Sequence, residues 1–290
     1  MNTVYPNFYH LFKCIAEKCK HNCCIGWEID VDENTYQKYK NEKSKFKNTL
    51  LENIGKNENG YFFKLTENER CPFLEDDGLC KIIKNLGENS LCQICTDHPR
   101  YRNFFESTTE TGLGLCCEEV ARIILNFKEK QNFIGEYILT DEEKFFIKKR
   151  KAVLDIIQDR DISVYKRVEK IKNIFSISTG KNFYSVFGTL EMLDKNWQNE
   201  IEKLKQNDCD FSDEFDLPFE QILSYFIFRH TYENFEEGIL FSIVSFEAIG
   251  KIFFGSENKT LENLAEICRM YSSEIEYSDE NIEKIADYFR

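Results

Sequence analysis

The sequence contains few residues that interrupt regular structure. Four prolines and thirteen glycines occur in 290 residues, so long helices are allowed and low-complexity linkers are not expected. No internal repeat is visible. A chain of this length can form one large domain or two modest ones. Its hydrophobic share of 42%, with 26 Phe and 14 Tyr, is enough for a substantial core.

Positive charge is also scarce. There are 38 Lys and Arg residues against 51 Asp and Glu residues, which leaves a formal net charge of −13. Because nucleic-acid binding depends on clustered cations that neutralise phosphates, this balance argues against a nucleic-acid partner. It is compatible with a basic partner such as a lysine-bearing protein, although solubility is the simpler explanation.

A long apolar segment is missing as well. The most apolar stretch, residues 239–254, is short for a membrane span and contains Glu247 and Lys251. The N-terminal sequence MNTVYPNFYHLFKC lacks the basic start and the apolar run of a secretory signal. We therefore expect a cytoplasmic protein without a membrane partner. A reducing compartment disfavours structural disulfides.

Cysteine, in contrast, is abundant and unevenly placed. Ten of the twelve cysteines lie within residues 14–117, and only Cys209 and Cys268 lie beyond. This change in composition divides the chain into a cysteine-rich part, residues 1–130, and a helical part, residues 131–290. The two parts can also pack as one continuous domain. The isolated Cys209 and Cys268 are most simply explained as small buried hydrophobic residues.

The apolar periodicity predicts a mainly α fold. In the cysteine-rich part we expect short helices and a small two-stranded β element, residues 27–31 and 61–65, around a metal or cluster site. Residues 8–15 have helical spacing, and Asp32 has the position of a helix N-cap. The helical part is expected to form a bundle with its aromatic stripes in the core. The longer helices are predicted at residues 118–130, 141–175, 183–206, 218–233, 236–254, 259–272 and 279–290.

The cysteines form two clusters with short internal spacings. The first is CIAEKCKHNCC, residues 14–24, and the second covers residues 71–95, followed by the pair at 116–117. Thiolates on turns and helix ends can converge on one metal centre at little entropic cost. Because adjacent cysteines point in different directions, we expect one of Cys23 and Cys24 to be a ligand.

Spacing alone leaves the kind of site open. A thioredoxin-like pair at Cys92 and Cys95 lacks the βαβ context that would support it. Structural zinc needs four ligands in compact pairs, whereas an iron–sulfur cluster takes four cysteines and accepts wider spacing. The sequence therefore predicts a metal or cluster site, with zinc and iron–sulfur both open. A nucleotide-binding glycine loop is not indicated, since TGLGLCC lacks the third glycine and the strand context.

Three segments closely resemble the flagellin lysine-N-methylase family. They are FKCIAEKCKHNCCIGWEIDVDENTYQKY, CPFLEDDGLCKIIKNLGENSLCQICTDHPR and CCEEVARIIL. The segment ILSYFIFRHTY is also similar to a family segment. The chain also departs from the family pattern. For example, His98 replaces a Tyr before Pro99, and Cys116 is an extra cysteine beside Cys117. The matched residues of the first two segments are Cys14, Cys19, Cys23, Cys24, Gly26, Trp27, Ile29, Asp30, Thr35, Tyr36, Cys71, Phe73, Leu74, Leu79, Cys80, Leu86, Gly87, Glu88, Leu91, Cys92, Cys95, Pro99 and Arg100.

The resemblance implies an S-adenosylmethionine-dependent protein lysine N-methyltransferase that acts on flagellin and carries a 4Fe–4S cluster. It favours iron–sulfur over zinc. Part of the cysteine pattern also resembles zinc- or iron-chelating domain proteins, so the alternative is a non-enzymatic scaffold or redox sensor that binds zinc or an iron–sulfur cluster. The implied metal ligands are Cys14, Cys19, Cys23, Cys24, Cys71, Cys80, Cys92, Cys95 and Cys117.

Lysine methylation needs a neutral amine that is aligned with the methyl donor. Among positions that match the family, Asp30, Tyr36 and Glu119 suit a catalytic role, and Trp27 and Arg100 suit binding of the donor. Local explanations also exist, such as a turn or cap for Asp30, core packing for Trp27 and a first-turn helix acid for Glu119.

Overall fold

The computed structural model describes residues 2–205 and 212–290. Within these residues the chain forms thirteen α-helices and seven short strands, so the prediction of a mainly α fold is confirmed. Cys209 and the end of the helix predicted at residues 183–206 lie outside the described residues. None of the described helices has the length and apolar character that a membrane span requires.

The chain divides into two compact units. The first, Lys13–Arg100, contains eight of the cysteines and is called the cysteine unit. The second comprises the chain up to Phe12 together with Tyr101–Arg290 and is called the helical unit. The domain boundary that we predict at residue 130 lies inside the helical unit.

The cysteine unit is built on a small antiparallel sheet in the order β2-β4-β3. Its strands are β2 (Asp30–Val31), β3 (Ile54–Asn57) and β4 (Gly60–Phe63). The sequence predicts two of these strands, and β3 is the addition. Four helices accompany the sheet: α1 (Glu33–Lys40), α2 (Phe46–Glu52), α3 (Lys81–Leu86) and α4 (Gln93–Asp97). Phe63, Phe73 and Ile82 form its core together with the buried Cys71 and Cys92.

The helical unit contains a four-stranded sheet in the order β5-β6-β1-β7. Its strands are β1 (Asn2–Pro6), β5 (Arg100–Phe104), β6 (Thr108–Leu113) and β7 (Phe133–Ile134). The prediction of a helix at residues 8–15 is wrong, since only Tyr9–Leu11 form a short 3₁₀ turn there. Strand β1 exists because it pairs in parallel with β6 and antiparallel with β7. Such distant pairing leaves no local period in the sequence.

In the described residues of the helical unit, nine helices complete the fold. They are α5 (Glu118–Asn126), α6 (Asp141–Ile157), α7 (Val164–Phe175), α8 (Phe183–Phe187), α9 (Lys195–Ile201), α10 (Asp216–His230), α11 (Phe235–Phe254), α12 (Leu261–Tyr271) and α13 (Asp279–Phe289). The single helix predicted at 141–175 is two helices. Arg167 stabilises the break, because its guanidinium donates to the carbonyls of Ile157 and Ile162, both at 2.7 Å.

Helices α10 and α11 form the centre of the helical unit. Both are buried along most of their length, and α10 packs against α5, α6, α7 and α11. Phe219, Phe226, Phe246 and Phe253 are fully buried there. The prediction that the aromatic stripes are core is therefore confirmed. Burial of such large side chains supplies much of the hydrophobic stabilisation.

Two buried carboxylates of the helical unit are paired with arginines. The carboxylate of Glu110 on β6 binds the guanidinium of Arg150 through both of its oxygens, one of them 2.9 Å from Nη1. Glu220 on α10 binds Arg160 at 2.7 Å and Arg167 at 2.6 Å. An unpaired buried charge would cost several kcal/mol, so these pairs make the polar positions compatible with the core.

Gly238 permits a close approach at the start of α11. A Cβ at this position would lie 2.2 Å from the carbonyl oxygen of His230 and 2.6 Å from Cα of Thr231. Both neighbours are backbone atoms that a side-chain rotation cannot move. At Gly180, in contrast, a Cβ would meet no atom within 4 Å.

We expect Gly238→Ala to lower the free energy of unfolding by about 2 kcal/mol through overpacking. Helix propensity alone predicts the opposite sign, because alanine is the better helix former by about 1 kcal/mol. Urea denaturation followed by circular dichroism measures the change, with Gly180→Ala as the control that should stay within about 0.5 kcal/mol of the parent. Equal stability of the two variants would contradict the close contact.

Candidate metal centre

Six of the predicted cysteine ligands lie close together within the cysteine unit. The Sγ atoms of Cys92 and Cys95 are 3.3 Å apart. The pKa of Cys95 is raised well above its ordinary value by its hydrogen bond with Cys92, by burial, and by the charges of Cys92, Cys24 and Cys71. Cys71 and Cys92 belong to one buried core, and Cys24, Cys80 and Cys95 pack against it. We call the set the thiol group, and its members are Cys23, Cys24, Cys71, Cys80, Cys92 and Cys95.

Of the two adjacent cysteines, Cys23 is exposed, whereas Cys24 is half-buried and packs against the core that contains Cys71 and Cys92. Its pKa is raised by its hydrogen bond with Cys23, by burial, and by the charges of Cys23, Cys71 and Cys80. Cys23 instead receives hydrogen bonds from Cys24 and His98, which lower its pKa to about 4 against the opposing effect of burial. His98, which departs from the family pattern, is thus a partner of Cys23.

Backbone hydrogen bonds bring three of the thiols into one region. The amide of Cys71 donates to the carbonyl of Cys24 at 2.8 Å, which joins the first cysteine cluster to the second. The turn in CPFLEDDGLC is closed by a β-bridge between Leu74 and Cys80. Cys80 then occupies the N-cap position of α3. The turn signal in the sequence therefore returns the chain to the thiol group.

Asp32 connects two helices and positions two further thiols. One carboxylate oxygen accepts from the amide of Thr35 at 3.0 Å, which confirms the predicted cap of α1. The other oxygen accepts from the amide of Gln93 at 2.9 Å, at the start of α4. Cys92 is the N-cap of α4, and Cys95 lies one turn further on. Burial opposes ionisation, but the two amides more than offset it and lower the pKa of Asp32 below 3.8.

The thiol group has the chemistry of a metal or cluster site, but its sulfurs are not spread around a centre. Tetrahedral ligands with Zn–S bonds of 2.3 Å are about 3.8 Å apart, further than the 3.3 Å between Cys92 and Cys95. Among the described residues, no three His, Cys, Asp or Glu side chains have the arrangement of a metal site. The donor set therefore fits by type and number, and binding would require the side chains to rotate toward one point. A metal site around the small sheet stays a prediction.

The other predicted ligands lie in different surroundings. Cys14 is exposed, and the thiol of Cys19 donates at 3.3 Å to a backbone carbonyl two residues away. Cys117 is in the helical unit, at the N-cap of α5. Their role as ligands stays a prediction. Cys268 is fully buried in the helical core, so its interpretation as a small hydrophobic residue is confirmed.

The candidate residues for methyl transfer in the cysteine unit are held by local structure. Asp30 is exposed on β2. The ring of Tyr36 stacks on Tyr61, with ring centres 3.7 Å apart and an angle of 12°. Trp27 is half-buried, and Arg100 donates to a backbone carbonyl of α4 at 3.3 Å. Their catalytic and donor-binding roles stay predictions.

Glu119 lies in the helical unit, in the first turn of α5. This residue is 7% exposed, and its carboxylate accepts from both Nε and Nη2 of Arg122, with Nε at 2.7 Å. This ion pair and the position near the helix N-terminus agree with the interpretation of Glu119 as an acidic residue that stabilises the first turn of a helix. A catalytic role for Glu119 also stays a prediction.

Known proteins resemble this chain over part of its length. The flagellar biosynthetic protein FliU of Salmonella muenchen is 30% identical over 146 residues, which cover 46% of this chain and 86% of FliU. The chain belongs to the flagellin lysine-N-methylase family. The lysine-N-methylases of Salmonella typhimurium LT2 and Salmonella choleraesuis SC-B67 are each 31% identical over 127 residues, or 42% of this chain. That match spans about a third of their length, 32%. No protein-family model and no solved structure matches the chain significantly.

The helical unit contains a buried polar cluster that sequence reasoning missed. The carboxylate of Glu276 accepts from the Tyr225 hydroxyl at 3.0 Å, lies 2.5 Å from Nε2 of His230, and pairs with Arg229 at 3.3 Å. Burial lowers the pKa of His230, and its hydrogen bond with Glu276 opposes this only in part. The thiol of Cys116 extends the cluster by donating to a tyrosine hydroxyl at 3.2 Å.

Two features of this cluster are typical of functional regions. Glu276 ends the π-helical turn Ser272–Glu276, and such turns often occur at functional sites. The guanidinium of Arg229 lies between the rings of Tyr101 and Tyr277, 4.8 Å from each centre. One signal was available in the sequence, because the family-like segment ILSYFIFRHTY contains Tyr225, Arg229 and His230. The segment MYSSEIEYSDENIEKI, which is also similar to the family, contains Glu276, but nothing in the sequence showed that Glu276 is their common partner.

We expect Asp32→Ala to lower the free energy of unfolding by about 2 kcal/mol, since two helix caps are lost at about 1 kcal/mol each. Asp32→Asn should lose about half as much, because one acceptor oxygen remains. The pKa of Asp32 is lowered on folding, so its contribution is present above pH 3.8 and is lost as the pH falls through the folded-state pKa. Urea denaturation of both variants tests this.

The exposed Asp30 provides the control for this prediction. Asp30→Ala removes a carboxylate from the same segment without removing a helix cap, so stability should change by less than about 0.5 kcal/mol. If Asp32→Ala were as stable as Asp30→Ala, the double cap would be contradicted.

Proposed function

We propose that this chain is an S-adenosylmethionine-dependent protein lysine N-methyltransferase that acts on flagellin. Membership of the flagellin lysine-N-methylase family carries the proposal, because the relatives include two lysine-N-methylases and a flagellar biosynthetic protein. The net charge of −13 suits a substrate that presents lysine side chains. The bacterial relatives give the only indication of flagellin as the substrate.

The proposal includes a 4Fe–4S cluster bound by four thiolates of the thiol group. Such clusters are held by four cysteines, and neighbouring thiols contribute to the raised pKa of Cys24, Cys71 and Cys95. Once bound, the cluster would cross-link the segments that carry these cysteines or help to position the methyl donor. The alternative ion is zinc, which the same thiolates could bind.

The residues that match family positions supply the other requirements of methyl transfer. The lysine amine must lose its proton before it attacks the methyl group, and a carboxylate or phenol beside it can accept that proton. Asp30 is exposed to an external amine, and Tyr36 is held by its stack on Tyr61. Trp27 can provide an aromatic face for the sulfonium cation of S-adenosylmethionine. Arg100 can pair with the carboxylate of the same molecule.

We expect anaerobically purified protein to be coloured and to contain about four iron atoms per chain. Cys24→Ser and Cys80→Ser should lower the iron content severalfold, because each removes a thiolate that faces the group. Cys268→Ala, in the helical core, is the control that should keep its iron. Elemental analysis and visible absorbance give the result. A colourless protein with zinc alone would exclude the iron–sulfur cluster, and full iron in both serine variants would exclude these ligands.

We also expect transfer of a labelled methyl group from S-adenosylmethionine to flagellin, and no transfer to flagellin whose lysines are acetylated. Tyr36→Phe should lower kcat at least tenfold, because proton transfer by a positioned group contributes about 10²–10⁴-fold. Tyr61→Phe preserves the ring stack and is the matched control. If the wild-type protein with its metal transferred no methyl group, the scaffold or redox sensor would be the better explanation.

A further inference from the structure

Two sulfurs of the thiol group lie closer together than the ligands of one metal ion do. The thiol of Cys92 donates a hydrogen bond to Sγ of Cys95 at 3.3 Å, whereas thiolates that share a tetrahedral zinc ion are about 3.8 Å apart. The residue types of this pair fit a metal site, but their arrangement does not. We call the pair the α4 dithiol, because Cys92 is the N-cap of α4 and Cys95 lies in its first turn.

The backbone of the α4 dithiol is held by hydrogen bonds. The carbonyl of Cys92 accepts from the amide of Thr96 at 3.0 Å and from its hydroxyl at 3.2 Å. The amide of Gln93 donates to the carboxylate of Asp32 at 2.9 Å. These contacts keep both cysteines in one closed turn. A disulfide bond is about 2.0 Å long, so a small rotation of the two side chains would bring the sulfurs from hydrogen-bonding distance to bonding distance.

The two thiols differ in access to solvent. Cys92 is 0% exposed, whereas Cys95 is half-buried. Ile94, which lies between them, is 45% exposed, so this part of α4 is at the surface of the cysteine unit. Thiol–disulfide exchange at a Cys-x-x-Cys pair uses one accessible thiol that attacks and a second thiol that resolves the mixed disulfide. Cys95 and Cys92 have the exposures that these two roles require.

The adjacent cysteines of the first cluster are less suited to this chemistry. The thiols of Cys23 and Cys24 are also hydrogen-bonded to each other. A disulfide between neighbouring residues closes a ring that contains their shared peptide bond, and the planar trans geometry of that bond opposes closure. In the α4 dithiol two residues separate the cysteines, so the ring closes without this restriction.

We infer that the α4 dithiol is a redox-active pair that a small-molecule disulfide converts into an intramolecular disulfide. The Cys95 thiolate attacks one sulfur of the small disulfide, forms an S–S bond with it and releases the other half as a thiol. The Cys92 thiolate then attacks Sγ of Cys95 and releases the second half as a thiol. The two cysteines lose two electrons and two protons, and the small disulfide gains both.

Oxidation of the α4 dithiol would withdraw two thiolates from the thiol group and leave Cys23, Cys24, Cys71 and Cys80. Metal ions and clusters bind thiolates, so the disulfide and the full donor set exclude each other. Reducing compartments disfavour structural disulfides, but transient redox-sensing disulfides do occur there. The disulfide itself does not depend on methyl transfer. Its effect on metal binding rests on the metal centre of the proposed function.

Equilibration of the full chain in glutathione buffers tests the inference. The chain is first freed of metal with a chelator, and circular dichroism checks that it stays folded. Alkylation of the remaining thiols and peptide mass spectrometry then locate each disulfide. The Cys92–Cys95 disulfide should form at an oxidised fraction about tenfold lower than any other intramolecular disulfide needs. A first disulfide elsewhere, including Cys23–Cys24, or no intramolecular disulfide, would overturn the inference. Unfolding on chelation would also overturn it, because the fold would then not hold the pair.

Single substitutions identify the attacking and the resolving thiol. Cys92→Ser should accumulate a mixed disulfide between Cys95 and glutathione, because the resolving thiol is missing. Cys95→Ser should leave Cys92 unmodified, because that thiol is buried. The matched control is Cys24→Ser, which removes a proposed metal ligand and should still form the Cys92–Cys95 disulfide. A glutathione adduct on Cys92 in the Cys95→Ser variant, or loss of the disulfide in the control, would contradict these roles.

Calorimetric titration with zinc alone measures the effect on metal binding. The oxidised chain should bind zinc at least about tenfold more weakly than the reduced chain, since two thiolates are lost. Equal affinity of the two forms, or no binding by either, would overturn this effect.

The outcomes separate the inference from the proposed function. A Cys92–Cys95 disulfide in a chain that transfers no methyl group would support the dithiol and contradict the enzyme. Methyl transfer to flagellin by a chain that forms no such disulfide would support the enzyme and contradict the dithiol.

Discussion

The arrangement of the candidate metal centre depends on the two backbone hydrogen bonds that the Asp32 carboxylate accepts. They join α1 to α4, and α4 carries Cys92 and Cys95. The second anchor is the bond from the Cys71 amide to the Cys24 carbonyl. With these contacts the thiols are held near one another by the protein backbone. A bound metal or cluster would then order the side chains, while the fold supplies their proximity.

Buried charge organises the helical unit in a comparable way. Glu110, Glu220 and Glu276 are each buried and each bind at least one arginine. Since an isolated buried carboxylate is expensive, these pairs restrict how the strands and helices can pack.

Much of the secondary structure was predictable from local patterns. Helices α12 and α13 have strong apolar periodicity, α10 and α11 are apolar along most of their length, and the Asp32 cap follows from a short polar residue before a helical run. The break between α6 and α7 was not predictable, because Arg167 stabilises it by binding carbonyls on both sides of the break. Strand β6 was missed since its central residue is Glu110, a charged residue that is buried only because Arg150 reaches it. Both failures come from contacts between distant residues.

The sequence by itself determined the family, the mainly α class and the cysteines available for a metal centre, because residue identity and spacing carry these properties. The tertiary structure decided that Cys24 and not Cys23 packs against the core that contains Cys71 and Cys92. It also decided that Glu276 joins Tyr225, Arg229 and His230. The physical reason is that burial, hydrogen bonding and charge pairing act between groups that are close in space, and 46 residues of chain separate His230 from Glu276.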